Sequence, residues 1–132
     1  LEVAGKELKL SRSTYNLVLP LGATINMDGT ALYQGVAAVF IAQVFGMELS
    51  FADQLRIIIT ATMASVGAAG VPGVGLVTLA MVLESIGVPG VGLALILGPD
   101  RILDMFRTST NVTGDLTASV VMDRLERREL GR

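Results

Sequence analysis

Between Asp100 and Asp115 the chain sets ionisable and amide groups at helical spacing within apolar sequence. Asp104, Arg107, Thr108, Asn111 and Asp115 are separated by three, one, three and four residues. At about 100° per residue these positions share an arc of roughly 100° on one helix face, and Asp100 joins it. Ile96, Leu97, Ile102, Leu103, Met105, Phe106 and Val112 surround them. Charges in such surroundings are costly unless they pair or bind something, so they mark a site for a polar ligand or an ion. Arg107 can clamp a carboxylate through its planar fork, and Asp104, one turn earlier, can accept hydrogen bonds from an ammonium. The pair suits a zwitterion with an extra carboxylate, such as an acidic amino acid. Two plainer readings stand beside this one: an internal Asp104–Arg107 salt bridge, and an amphipathic helix wet on that face.

A second set lies near the N-terminus, in Asn26-Met27-Asp28-Gly29-Thr30. Asn26 and Asp28 offer side-chain oxygens, and Gly22, Thr24 and Met27 offer backbone or soft side-chain contacts. Hard monovalent cations take oxygen ligands, many of them carbonyls, which interrupted helices supply. With Asn111 and Asp115, Asn26 can enclose a cation. On its own an Asn-x-Asp-Gly string is also a common turn signal. The third set is the run Gly67 to Gly75, rich in Gly and containing Pro72. Its glycines permit close approach to a ligand, or it is a small-residue turn between helices.

These sets need elements to hold them. Of 132 residues 52% are hydrophobic and only 17% are charged, below the quarter usual in soluble domains. Asp28 is the only charge from Ser13 to Met47, and Glu84 the only one from Ile57 to Pro99. Such spans read as buried in lipid or protein. Residues 13–46 predict a transmembrane helix broken at Asn26–Thr30, and Ser50 is a suitable cap for the next helix. Residues 51–87 predict a re-entrant hairpin whose arms, Leu55–Met63 and Leu76–Ile86, are each too short to span. A single kinked span is the alternative. Residues 91–121 predict a final transmembrane helix kinked at Pro99. Residues 1–12 read as a juxtamembrane segment and 122–132 as a solvated, mixed-charge tail. No Cys or His is present, which removes disulfides, thiolate chemistry and the usual zinc ligand and neutral-pH base. The few basic residues form no phosphate-tracking stripe, so nucleic acid is not an expected partner.

The strings Leu19-Pro20-Leu21-Gly22-Ala23-Thr24-Ile25-Asn26-Met27-Asp28-Gly29-Thr30-Ala31-Leu32-Tyr33, Gly67 to Gly75 and Asp-x-x-x-Asp-x-x-Arg-Thr-x-x-Asn-x-x-Gly-Asp from Asp100 resemble the dicarboxylate/amino acid:cation symporter family. That family includes glutamate and aspartate transporters. The resemblance covers about Tyr15 to Val121, three motifs in the right order. It implies an all-α membrane protein carrying the C-terminal half of an elevator-type transport domain, within a homotrimer whose remaining parts lie elsewhere. It implies that Arg107 holds the substrate's side-chain carboxylate and Asp104 its amino group. Met27, Thr30, Gly70, Val71, Gly75, Thr108 and Asn111 complete that pocket. Gly22, Asn26, Asn111 and Asp115 match one sodium site, and Thr24, Met27, Ser65, Val66 and Ala68 a second. Asn26 and Asp28 match part of a third. Arg101, beside Asp100, resembles proton-coupled bacterial carriers as much as sodium-coupled ones.

The expected function is therefore secondary active symport of glutamate or aspartate, driven by a sodium or proton gradient, with no organic cofactor and no enzymatic step. Expected partners are the acidic amino acid or a dicarboxylate, the lipid membrane and the rest of the transporter. The expected location is multi-pass in a cell membrane, as in a prokaryotic inner membrane. The alternatives are a C4-dicarboxylate symporter, which needs no ammonium acceptor, and a non-transporting fragment.

Overall fold

The computed structural model describes residues 1–68, 73–129 and 131. All its elements are helical: α1 (Glu2–Lys6), α2 (Arg12–Ile25), α3 (Asp28–Val44), α4 (Phe51–Val66), α5 (Val74–Ser85), a 3₁₀ turn (Gly90–Leu93), α6 (Ala94–Leu97) and α7 (Asp100–Glu129). Local sequence sets several of their ends. Ser11 caps α2 by accepting from the Thr14 amide at 3.2 Å. Ser50 and Asp53 form a reciprocal capping box on α4, with amide bonds of 3.2 and 3.1 Å. Asn26 (φ −125°, ψ 69°) and Met27 (φ −102°, ψ 66°) leave the helical region, so α2 and α3 are separate helices.

α3 is the central element, in contact with α4, α5 and α7, while α2 lies along α7. Ala37, Ala38, Ile41 and Ala42 of α3 meet Ile57 and Ala61 of α4 and Leu79, Val82 and Leu83 of α5 in the apolar core. Small residues on α3 let neighbouring helices approach closely. α7 is held differently. Its buried residues are Asp100, Arg107, Asp115, Ser119 and Asp123, all of them polar. Hydrogen bonds and ion pairs therefore hold α7, and α2 along it, where apolar packing holds α3, α4 and α5.

Two expectations change. Among the described residues no helix is long and apolar enough to cross a membrane. α3, with 17 residues, rises only about 25 Å against about 30 Å of hydrocarbon. α7 has 30 residues but is too rich in charge. This corrects the transmembrane fold class, the lipid membrane as partner and the multi-pass location. The composition pointed that way because apolar residues run continuously through α3, α4 and α5, which are short helices in contact with one another. In place of one helix kinked at Pro99, the chain makes the 3₁₀ turn, α6 and then α7. The Pro99 carbonyl accepts from the Ile102 and Leu103 amides at 3.0 and 3.1 Å, which starts α7 afresh.

Candidate functional site

Arg107 sits on α7 at 6% exposure, facing α3 and α5. Its Nη2 donates to Asp104 Oδ1, one turn back on the same helix. Nη1 lies 4.0 Å from Asp100 Oδ1 and has no hydrogen-bond partner among the described residues. The guanidinium stacks over the Tyr33 ring, 4.5 Å from its centroid, close enough for a cation–π attraction. The Tyr33 hydroxyl donates to Asp100 Oδ1 at 3.3 Å. Burial first, then the Asp100 charge, push the Tyr33 phenol up to about 12, so it stays protonated and remains a donor. Gly75, in the first turn of α5, lies against the guanidinium; a Cβ there would overlap it. A buried arginine with a donor that no described residue engages, beside the positive end of a helix, has the chemistry to accept an anion.

One turn further on, Asn111 caps a helix that is not its own. α3 has no side-chain cap from Met27, yet its first amides are engaged. Asn111 Oδ1 accepts from the Gly29 amide at 2.7 Å and the Thr30 amide at 3.3 Å, and Nδ2 donates to the Thr30 hydroxyl at 3.1 Å. Asn111 thus fastens the start of α3 to α7.

Beyond Asn111, Asp115 is buried against the end of α2. Asn26 Nδ2 donates to its Oδ1 at 3.2 Å. Its carboxylate occupies the space a Cβ on Gly22 would need. Asp28, which is exposed, has its carboxylate over Gly114. Burial pushes the Asp115 carboxyl up; the Asn26 hydrogen bond opposes this and the Asp28 charge adds to it. The Gly22 carbonyl already accepts from the Asn26 amide at 2.8 Å, so it has only its second lone pair to offer a ligand. Among the described residues no three acidic side chains gather as a metal cage. A cation at this place would draw on amide and carbonyl oxygens, with Asp115 supplying charge.

The remaining expected site residues are placed less tightly. Met27 and Thr30 are buried beside Asn111. Thr108 is exposed. Thr24 is exposed and donates to the Leu21 carbonyl at 2.9 Å. Ser65 and Ala68 are buried, Ser65 donating to the Thr62 carbonyl at 2.8 Å, while Val66 is 47% exposed. α2 touches α4, but among the described residues no hydrogen bond joins Thr24 or Met27 to Ser65, Val66 or Ala68. Gly70 and Val71 lie outside the described residues.

Sequence reasoning did not anticipate three features. Tyr33 is part of the Arg107 cluster, 74 positions away in the chain. Gln34, fully buried, donates to Thr78, whose hydroxyl contacts the Val74 and Gly75 carbonyls at 3.0 and 3.2 Å. Asp123, expected in a solvated tail, is 4% exposed. It accepts from the Ser11 amide at 2.7 Å and from Arg127 Nε at 2.6 Å, while Thr14 donates to Glu126 at 2.7 Å. α7 runs on to Glu129 and holds the start of α2. A tyrosine or glutamine inside an apolar run was the available signal for the first two; no local signal existed for the third.

The sequence pattern of the sodium:dicarboxylate symporter family matches residues 1–125. This chain belongs to that family. The sodium:dicarboxylate symporter relatives include excitatory amino acid transporter 3 of Mus musculus, 50% identical over 127 residues, which are 96% of this chain and 24% of that protein. Excitatory amino acid transporter 1 of Homo sapiens is 55% identical over 113 residues, 86% of this chain and 21% of the relative. Human excitatory amino acid transporter 5 is 52% identical over 123 residues, with 93% and 22% covered. The chain therefore spans about a quarter of the length of these relatives. A symporter family moves solutes without making or breaking a covalent bond, and its member here is not an enzyme.

Proposed function

We propose that this chain supplies, within a full-length protein, the part of a symporter that binds glutamate or aspartate together with a coupling cation. The observation that supports this reading best is the buried Arg107, whose Nη1 no described residue engages. A substrate carboxylate takes the guanidinium, and Asp104, released from Arg107, accepts the substrate ammonium. The exchange leaves each buried charge paired at every stage, which avoids the cost of an isolated ion. Met27, Thr30, Thr108, Asn111, Gly75 and the Gly70–Val71 segment complete this proposed pocket.

The coupling ion in this reading is sodium. Asn26, Asn111, Asp115 and the second lone pair of the Gly22 carbonyl form its first site. Thr24, Met27, Ser65, Val66 and Ala68 form a second, and Asn26 with Asp28 part of a third. Asn111 lies one turn from Arg107 and one from Asp115, and it fastens α3. A cation that orders the α2–α3 break therefore lowers the ordering cost that the amino acid meets on arrival. Such coupling is reciprocal. The names of the relatives, excitatory amino acid transporters, agree with an amino acid as solute.

The test is aspartate affinity of a full-length protein carrying these residues, across a sodium titration at constant ionic strength. Sodium should tighten aspartate binding, and Asp115→Asn should shrink that effect. An affinity that follows pH but ignores sodium would make a proton the coupling ion. Absence of aspartate binding would overturn the reading. The second reading, a plain dicarboxylate as solute, is favoured by the description of the family and by the Asp104–Arg107 pair. Succinate binding more tightly than aspartate would select it.

A further inference from the structure

Where the chain turns from α1 into α2 it meets the C-terminal end of α7, and a cavity of about 360 Å³ lies between them. Leu8 and Leu10 line it from the turn and Val120 from α7, while Lys9, Arg124 and Arg127 bring three cations to it. Asp123 is the one carboxylate in the lining, and its oxygens are taken by the Ser11 amide and Arg127 Nε. Glu126 accepts from Thr14 and does not line the cavity. Among the described residues neither Lys9 nor Arg124 has an ion pair. Lys9 is also the only non-glycine among them with a positive φ, +52°. Its turn is closed by the Leu8 amide on the Val3 carbonyl at 3.0 Å and the Leu10 amide on the Ala4 carbonyl at 3.1 Å. Such a backbone position after a helix usually carries glycine, because a Cβ is costly there. The turn asks for glycine and the chain supplies lysine. Strain tolerated at one residue points to a use for its side chain.

We propose that this cavity binds a phosphate monoester, at a site apart from the Arg107 and Asp115 clusters and independent of the function proposed above. Three cations against one carboxylate leave two positive charges to be met. A phosphate monoester carries nearly two negative charges at neutral pH and three strong acceptor oxygens. These match the ammonium of Lys9 and the guanidinium fork of Arg124. A carboxylate, with a single charge, leaves one of the two cations unmatched. Leu8, Leu10 and Val120 give the organic part of the ester an apolar wall, so an ester binds more tightly than inorganic phosphate. The bound phosphate joins the turn before α2 to the end of α7, the two regions that Ser11 and Asp123 also join. The same phosphate chemistry occurs in soluble esters and in lipid headgroups.

The experiment is calorimetric titration of a full-length protein carrying these residues with phenyl phosphate, inorganic phosphate, benzoate and dihexanoyl phosphatidate. Phenyl phosphate should bind more tightly than inorganic phosphate or benzoate, and more weakly as salt is raised. Arg124→Gln and Lys9→Gly should each weaken it by about twofold to fivefold, the effect of one exposed charge pair. Lys9→Gly relieves the strained backbone, so it should fold and melt no lower than the parent. Full phosphate affinity in Lys9→Gly would make position 9 a turn residue only and overturn the proposal. Benzoate binding as tightly as phenyl phosphate would reduce the site to general charge attraction and overturn it too. Phosphatidate binding without phenyl phosphate binding would support a lipid headgroup as the source of the phosphate, and binding of both would support a soluble ester as sufficient. Binding of none of the phosphates would overturn the proposal and leave the solute site untouched.

Discussion

At one end of α7, Arg107 is buried with a guanidinium nitrogen that no described residue engages; at the other, Asp123 is buried with both carboxylate oxygens occupied. Both regions are polar and both lie between helices. They differ in whether the fold itself completes their hydrogen bonds. Asp123 takes the Ser11 amide on one oxygen and Arg127 on the other, and Glu126 takes Thr14, so the group closes on itself. Such a network holds α2 to α7. In the Arg107 cluster one donor is unmet among the described residues, and an unmet buried donor costs free energy until something accepts from it. Completeness, more than polarity, separates the part that builds from the part proposed to bind.

Asn111 stands between the two regions and tests the distinction. Its amide makes three bonds, two of them to the first amides of α3, so it should behave as a building residue. Asn111→Ala is expected to lower unfolding stability in urea by about 0.5–2 kcal/mol, the usual range for a lost helix cap. Asn111→Asp, which keeps an acceptor for Gly29 and Thr30, should retain most of that stability. Unchanged stability in Asn111→Ala would move the residue to the binding class with Arg107.

Asp123 should show the opposite profile, stability without affinity. The Ser11 amide, and after it Arg127, hold its carboxyl below the usual carboxylate range. Its folded-state value is depressed, so the unfolded chain binds the proton more readily and stability rises with pH through this range. The contribution is complete above the unfolded value of about 3.9 and disappears as pH falls through the lower folded value. Parent and Asp123→Asn should therefore differ in melting temperature by a constant, small amount from neutral pH to about pH 5, converging only at more acid pH. Aspartate affinity at neutral pH should be the same in both. A gap that persists undiminished in strong acid would mean that shape rather than charge matters at this position.

Much of the polar face of α7 was legible because it is local. Asp104, Arg107, Asn111 and Asp115 follow one helix period, and the structure puts all four on the inner side of α7, where each contacts another polar group. Ser50 as the cap of α4 was legible for the same reason, its partner Asp53 lying three residues on. Tyr33 and Asp123 were not. Tyr33 stands in the apolar stretch of α3 and acquires its meaning only when α7 crosses it. Asp123 sits in a charged run that looks like solvent-facing sequence, and its partner Ser11 is 112 residues away. That Asn111 also caps α3 was not legible, because sequence does not show that α3 begins without a cap of its own. The membrane reading failed for a related reason. Apolar content and the interruptions at Asn26–Thr30 and Pro99 were legible, but not that the apolar stretches form short helices packed on one another.

Arg107 is the proposed receptor for an anionic substrate group. Its most direct test is competition binding with aspartate and alanine to a full-length protein carrying these residues, in the parent and in Arg107→Ala. Losing a desolvated charge partner costs on the order of 2–5 kcal/mol, so aspartate affinity should fall by about 30-fold to several thousand-fold. Alanine, which has no side-chain carboxylate, should lose far less. Aspartate affinity equal in parent and Arg107→Ala would contradict the account and return the Asp104–Arg107 pair to an internal salt bridge.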